Sequence, residues 1–194
     1  MSFLKATQLP VKAYGKTWFI SPFTGNLLLN DDELNLNQKI PSKVLEALDY
    51  CDYPYKLKPL EKNKNSFDRF SKKEIDELIK IYKRFDKIGR ENFFLSCLYA
   101  GVKHKYFDDT SILMSLISHI QSIEQKNSGC LQKSLCAAKL SKNSSKCVVF
   151  IGALLPTGKM HAWVIEDGVQ PDIDDRGWIN YRPLLALTEC QTEE

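Results

Sequence analysis

This chain of 194 residues has no long apolar run. A membrane-spanning helix needs roughly eighteen consecutive apolar residues, and no stretch comes near that length. The N-terminal sequence MSFLKATQLPVK also lacks the apolar segment of a secretory signal peptide. We therefore expect a cytoplasmic protein with no membrane span.

Charge of one sign is not in large excess either. The chain has 27 basic and 24 acidic residues, a formal net charge of +3, whereas a nucleic-acid-binding domain carries clustered lysine and arginine. A GxxxxGK[ST] phosphate-binding loop is missing as well. The sequence thus predicts no nucleic-acid partner and no intrinsic cofactor.

The six cysteines include no CxxC pair, so no metal site is expected. Without an export signal, the thiols should be mostly reduced. A cysteine on a helix is most often a small buried hydrophobe. We apply that interpretation to every cysteine except Cys130; the others are Cys51, Cys97, Cys136, Cys147 and Cys190.

The N-terminal third is typical of strands followed by a helix. Aromatic and β-branched residues over 10–30, broken at Gly15 and Gly25, predict a hairpin or a three-stranded sheet. Pro41 then marks the start of a short apolar helix.

A domain boundary is predicted next. Residues 52–69 are polar, contain two prolines and show no period, which is typical of a linker. We therefore divide the chain into a domain over 1–68 and a second domain over 69–194.

The second half is typical of helices followed by a small antiparallel sheet. A capping box at Ser71 and Glu74 opens a helix with apolar residues at helical spacing up to Gly89. Further helices are predicted near RENFFLSCLYAGV, from Thr110 and from Cys130, and strands over KCVVFIGAL, KMHAWVIED and GVQPDI. The predicted fold class is α+β, with a small N-terminal strand and helix domain and a C-terminal domain of helices packed on the sheet.

Cys130 has the sequence setting of a nucleophile. It follows Gly129 at a predicted helix start, where unpaired N–H groups and the positive end of the helix dipole favour a thiolate. The same N–H groups can bind an oxyanion. His161 lies on a predicted strand, and from a sheet packed on the helix it can reach the thiol as a general base.

A carboxylate is then needed to hold the imidazole tautomer. After a predicted turn at Asp167, an antiparallel return strand brings Asp172 beside His161, and alternation puts Asp174 on the same face. Asp172 is the first candidate, Asp174 the second and Asp167 the third. A solvated acidic turn is the competing interpretation for Asp172, Asp174 and Asp175.

The order Cys, His, Asp resembles that of transglutaminase-like (papain-like) cysteine enzymes. The segments CLQKSLCAAKL and VVFIGALLPTGKMHAWVIEDG resemble, more closely, the peptidase domain of lasso-peptide maturation proteases, the microcin-type leader peptidases. The resemblance covers roughly the last third of the chain. The matching residues are Cys130, Leu131, Ser134, Ile151, Gly152, His161, Ala162, Trp163, Val164 and Gly168.

Two positions depart from that family's pattern. Ile165 stands where the family often has an acidic residue. The segment PDIDD replaces an Asn-Asp pair and is one residue shorter. The departures leave the triad acid open.

The resemblance implies a thiol protease that removes the leader peptide from a ribosomally made lasso-peptide (bacteriocin) precursor. An asparagine-synthetase-like cyclase would be its partner and the source of any ATP dependence. The segment WFISPFTGNLLLND resembles the hairpin of a leader-recognition domain, which a peptide can join at the sheet edge. The substrate-binding residues expected on this basis are Trp18, Phe19 and Trp163.

Two other functions fit the same residues. An acyltransferase or cross-linking enzyme would use the same triad with an amine in place of water. A non-catalytic scaffold would bind the leader and show no turnover.

Overall fold

Two antiparallel sheets and four helices make up the part of the chain that the computed structural model describes, which is residues 4–30, 38–60, 70–91, 110–123, 129–172, 175 and 177–189. This confirms the predicted α+β class. Short 3₁₀ turns lie at Pro54–Lys56, Ser144–Lys146 and Gly177–Asn180. The elements in chain order are β1 (Leu4–Gln8), β2 (Val11–Ala13), β3 (Lys16–Ile20), β4 (Leu27–Asn30), α1 (Ser42–Asp52), α2 (Lys72–Glu91), α3 (Thr110–Ile123), α4 (Cys130–Leu140), β5 (Cys147–Leu154), β6 (Lys159–Glu166) and β7 (Arg182–Glu189).

The larger sheet has the strand order β1-β7-β5-β6, with every neighbour antiparallel. Strand β6 is therefore an edge strand, and one side of its backbone faces away from the sheet. In the β5–β6 register, Gly152 lies opposite His161. A side chain on Gly152 would collide with the carbonyl oxygen of Arg182 and with the ring of Trp163, so only glycine fits where β5 and β7 approach so closely.

The smaller sheet has three strands in the order β2-β3-β4, which is the second of the two predicted arrangements, a hairpin or a three-stranded sheet. Tyr14 and Gly15 join β2 to β3 with φ values of 55° and 73°, the pair of positive angles that a two-residue type I′ hairpin turn requires.

Local helix signals are confirmed at the start of α2. The Ser71 hydroxyl accepts a hydrogen bond from the N–H of Glu74 at 3.3 Å, while the Glu74 carboxylate accepts one from the N–H of Ser71 at 2.8 Å. This is the predicted capping box. The helix predicted near RENFFLSCLYAGV lies mostly outside the described residues.

The predicted boundary near residue 68 does not separate two cores, which corrects the division into 1–68 and 69–194. Strand β1 pairs with β7 from Leu4 opposite Glu189 to Gln8 opposite Leu185. Val44 of α1 packs in one core with Phe150 of β5 and Trp163 of β6. Trp18 and Ile20 of β3 belong to the other core, together with residues of α2, α3 and α4.

The strand that accepts β1 is the one that the sequence pattern did not reveal. Strand β7, RPLLALTE, is an interior strand with a nearly continuous apolar run. Such a run lacks the alternation that marks a half-buried strand, and periodicity cannot distinguish it from a helix. Without β7, nothing in the sequence indicated a partner for β1.

The prediction of a third strand in the C-terminal half, over GVQPDI, is wrong. The turn itself forms, with positive φ at Asp167 and Gly168, and the backbones of Glu166 and Val169 exchange hydrogen bonds of 2.8 and 2.9 Å. Residues 170–172 are not in a strand. The pairing with β6 stops after one bridge at Val169, which also forms a parallel bridge with Lys58, so residues 170–172 do not continue alongside β6.

None of the helices in the described residues has the length and apolar content to cross a membrane. The cytoplasmic location stays a prediction.

We expect residues 69–194, expressed alone, to lose cooperative unfolding, because the fragment lacks the strand that covers the β7 edge and the helix that covers Phe150 and Trp163. Thermal circular dichroism of this fragment beside the full chain checks the prediction. Mixing it with residues 1–68 should restore a transition. A sharp, native-like transition of 69–194 alone would instead support two independent domains.

Candidate active site

Cys130 is the first residue of α4, and Gly129 precedes it with extended backbone. Among the described residues, no side chain caps this helix N-terminus, which leaves its first N–H groups without a capping partner there. A Cβ on Gly129 would collide with the side-chain amide of Gln132, which folds back against the helix start. A larger residue at position 129 would therefore have to displace the side chain of Gln132.

The open edge of β6 holds the start of α4 through one residue. The N–H of Ala162 donates to the Sγ of Cys130 at 3.2 Å, and the carbonyl of Ala162 accepts a hydrogen bond from the hydroxyl of Ser134 at 3.3 Å. Cys130 and Ser134 are four residues apart and share one helix face. The Cys-Leu-x-x-Ser spacing thus fixes the thiol against the strand that carries His161.

His161 contacts both the thiol and a carboxylate. Its Nε2 lies 2.6 Å from the Oδ2 of Asp175, and its ring also hydrogen-bonds the thiol of Cys130. Because Nε2 faces the carboxylate, Nδ1 is the nitrogen left for the thiol. The other oxygen of Asp175 accepts the N–H of Gly177 at 3.2 Å, so the carboxylate is held on both sides.

Aromatic rings restrict the imidazole. The ring centroid of Tyr181 lies 5.0 Å from that of His161, and the ring of Trp163 stacks on His161 at 6.2 Å with an interplanar angle of 16°. Trp178 in turn stacks on Trp163 at 6.0 Å. The side chains of His161 and Asp175 are only 19% and 16% exposed, so water screens their interaction weakly.

For Cys130 and His161, hydrogen bonds and opposite charges affect the pKa values more than burial does. Burial alone would raise the pKa of the Cys130 thiol, but the hydrogen bond and charge of His161 and the N–H groups of Ala162 and Leu131 bring that pKa below its ordinary value. Burial alone would lower the pKa of His161, yet the hydrogen bonds and charges of Asp175 and Cys130 raise it to about 9. These contacts therefore stabilise the thiolate form of Cys130 and the imidazolium form of His161.

The other described cysteines behave in the opposite way. Burial raises the pKa of Cys51, Cys136 and Cys147 to about 12 each. These thiols stay protonated at neutral pH and react poorly. Cys97 and Cys190 lie outside the described residues.

Asp172 is not beside His161, which corrects the first candidate for the acid. Its buried carboxylate pairs with the ammonium of Lys133 on α4. Asp167 lies in the exposed turn and pairs with Lys146 at 3.7 Å. Asp174 lies outside the described residues, so its candidacy stays open. Asp175 occupies the position that the sequence analysis gave to Asp172.

Two of the three expected substrate contacts, Trp18 and Trp163, are corrected. Trp163 is 0% exposed and is part of a core. Trp18 is buried as well, and its indole N–H donates to the carbonyl of Ala13 at 2.9 Å. Phe19 is half-buried opposite Leu28 in the small sheet. The two tryptophans therefore support the fold and do not face a ligand.

Three residues around the site were not predicted from the sequence to be site residues. Asp175 was grouped with solvated turn residues, because no periodicity relates a carboxylate outside regular structure to a histidine. Tyr181 also lies outside helices and strands, so no sequence period relates it to His161. Lys133 did carry a signal, since it lies three residues after Cys130 and therefore on a neighbouring part of the helix surface.

No group of three or more His, Cys, Asp or Glu side chains among the described residues is arranged to hold a metal ion. Comparisons of the chain with protein-family models, with curated proteins and with solved structures found no significant match. The resemblance to leader peptidases therefore rests on the motif residues alone.

We expect iodoacetamide at about pH 6 to label Cys130 ahead of the other five thiols, because the thiolate is the reactive form and only this thiol has a lowered pKa among those described. Peptide mapping after limited reaction measures the order. Earlier labelling of Cys51 or Cys147 would contradict the assignment.

Asp175→Asn should move the pH profile of Cys130 alkylation to higher pH. Removing the carboxylate removes the interaction that raises the pKa of His161, so the imidazolium that stabilises the thiolate is lost at lower pH. Asp167→Asn is the matched control, because this carboxylate is exposed and remote from the imidazole. Superimposable profiles of the Asp175 variant and the unmodified protein would show that Asp175 does not act on His161.

Proposed function

We propose that this protein is a cysteine peptidase of the transglutaminase-like type. The observation that carries the proposal is the continuous chain from a helix N-terminal thiol through an imidazole to a buried carboxylate, Cys130 to His161 to Asp175. Each member has the partner that its role needs, and the three come from separate parts of the chain.

The mechanism follows from these contacts. The Cys130 thiolate attacks the carbonyl carbon of the scissile amide, and N–H groups at the uncapped start of α4 are suited to stabilise the oxyanion. The His161 imidazolium gives its proton to the leaving amine, and neutral His161 then takes a proton from the water that hydrolyses the thioester. Asp175 keeps the ring oriented and stabilises its charged form.

The substrate we propose is the leader of a ribosomally made lasso-peptide precursor. The support is the ordered match of ten residues around Cys130 and His161. Cleavage would free an amine for an asparagine-synthetase-like cyclase, which would be the partner and the source of any ATP requirement. The small sheet offers a place for the leader: β4 is an edge strand, and its Leu28 and Leu29 are 40% and 50% exposed. An extended peptide can pair with such an edge.

Cys130→Ala should abolish cleavage of the precursor peptide and leave its binding unchanged, because the nucleophile is lost while the edge of β4 is untouched. Mass spectrometry of the products and fluorescence anisotropy of a labelled leader measure the two effects. Cys51→Ala is the control thiol and should retain turnover. Asp175→Asn should lower turnover by about 10²- to 10⁴-fold.

The same assay separates the two other functions. With a primary amine added, an amide product in place of the free acid would indicate an acyltransferase. Normal leader binding with no turnover, unchanged in Cys130→Ala, would indicate a scaffold. To supply the peptide for the assay, the genomic neighbourhood should be searched; the proposal predicts a short precursor reading frame beside a gene for an asparagine-synthetase-like cyclase.

A further inference from the structure

A buried ion pair lies one helical turn from the nucleophile. Lys133 of α4 pairs with Asp172, and the two side chains are only 15% and 8% exposed. Desolvating two charges costs free energy that their attraction often fails to recover, so a buried pair is weak evidence for stability. A buried pair beside a reactive thiol therefore calls for another explanation.

The pair joins the two parts of the chain that must meet at His161. Cys130 and Lys133 share α4, which fixes one end of the connection. At the other end, the carbonyl of Asp172 accepts the N–H of Asp175 at 3.1 Å, and Asp175 contacts His161 at 2.6 Å. Helix α4 thus connects Cys130 to Lys133, and the ion pair with Asp172 connects Lys133 to the segment that carries Asp175.

The described residues of this segment, 170–172 and 175, lie outside helices and strands. Strand pairing ends at Val169, and residues 170–172 are outside both sheets although Gln170 and Asp172 are buried. A hydrogen bond between an imidazole and a carboxylate tolerates only a few tenths of an ångström of displacement. The ion pair between Asp172 and Lys133, which is mostly shielded from water, is one contact that can hold this segment in place.

We propose that Lys133 and Asp172 are positioning residues that hold Asp175 against His161 by tying its segment to the helix of Cys130. The inference rests on the proposed function in treating Cys130 as the reactive thiol. It gives Asp172 an indirect role in place of the direct contact expected from the sequence.

Thiol alkylation tests the proposal without any substrate. We compare the pH dependence of iodoacetamide reaction at Cys130 in Lys133→Met, Asp172→Asn, the double variant Lys133→Met/Asp172→Leu and Asp175→Asn. Both single variants should shift the profile to higher pH, in the direction of Asp175→Asn, with labelling at about pH 6 slowed roughly tenfold. The double variant should lose no more than the worse single variant, because both single changes break the same connection.

Two further variants control for charge and for burial. Lys133→Arg keeps a cation in place and should restore much of the unmodified profile. Lys146→Met removes the lysine from the exposed pair with Asp167 and should leave the profile unchanged. Thermal unfolding of each variant shows that it is folded at the assay temperature; the double variant, with two apolar side chains, is expected to fold even where a single variant leaves a lone buried charge.

The outcomes separate the roles. A lower Tm with an unmoved alkylation profile in Lys133→Met and the double variant would make the pair purely structural and overturn the proposal. A shifted alkylation profile in Asp172→Asn together with an unchanged profile in Lys133→Met would show that Asp172 acts on the imidazole directly. That outcome would also overturn the proposal. Shifted profiles in a protein that cleaves no precursor would uphold the positioning role while rejecting the peptidase.

Discussion

The site depends on one contact, that between the start of α4 and the open edge of β6. An edge strand has backbone groups without strand partners, and here both polar groups of Ala162 bond to the helix, one to the thiol of Cys130 and one to the hydroxyl of Ser134. Because these are backbone groups, their positions follow the sheet and not a side-chain rotamer. The nucleophile is thereby fixed beside the residue that precedes Ala162, which is His161.

The electrostatics of the pair follow from where that contact lies. Both groups are half-buried, so desolvation opposes the charged forms, and mutual attraction with the help of Asp175 outweighs it. On the same helix, burial raises the pKa of Cys136 to about 12 although the charge of Lys139 acts in the opposite direction. A helix position and burial alone do not make a reactive thiol; the facing imidazole does.

The N-terminal third completes the sheet and also presents a separate surface. Strand β1 covers β7, and α1 covers the face that carries Phe150 and Trp163. The ring of Trp163 in turn stacks on the ring of His161. Among the described residues, β4 is an edge strand of the small sheet. Trp18 of the small sheet and apolar residues of α4 belong to the same hydrophobic core. If the leader binds at β4, its binding site and the catalytic residues are therefore supported by one core.

Local sequence signals determined the parts of this protein that depend on neighbours in the chain. A glycine before Cys130, a capping box at Ser71 and a two-residue turn at Asp167 each act over a few residues, so the helix starts, the small sheet and the candidate nucleophile and base could be predicted. Only the tertiary structure decided the carboxylate and the domain division. Asp175 meets His161 across the fold without a strand register, and β1 meets β7 across nearly the whole chain, so neither contact leaves a period or a spacing that a sequence can show.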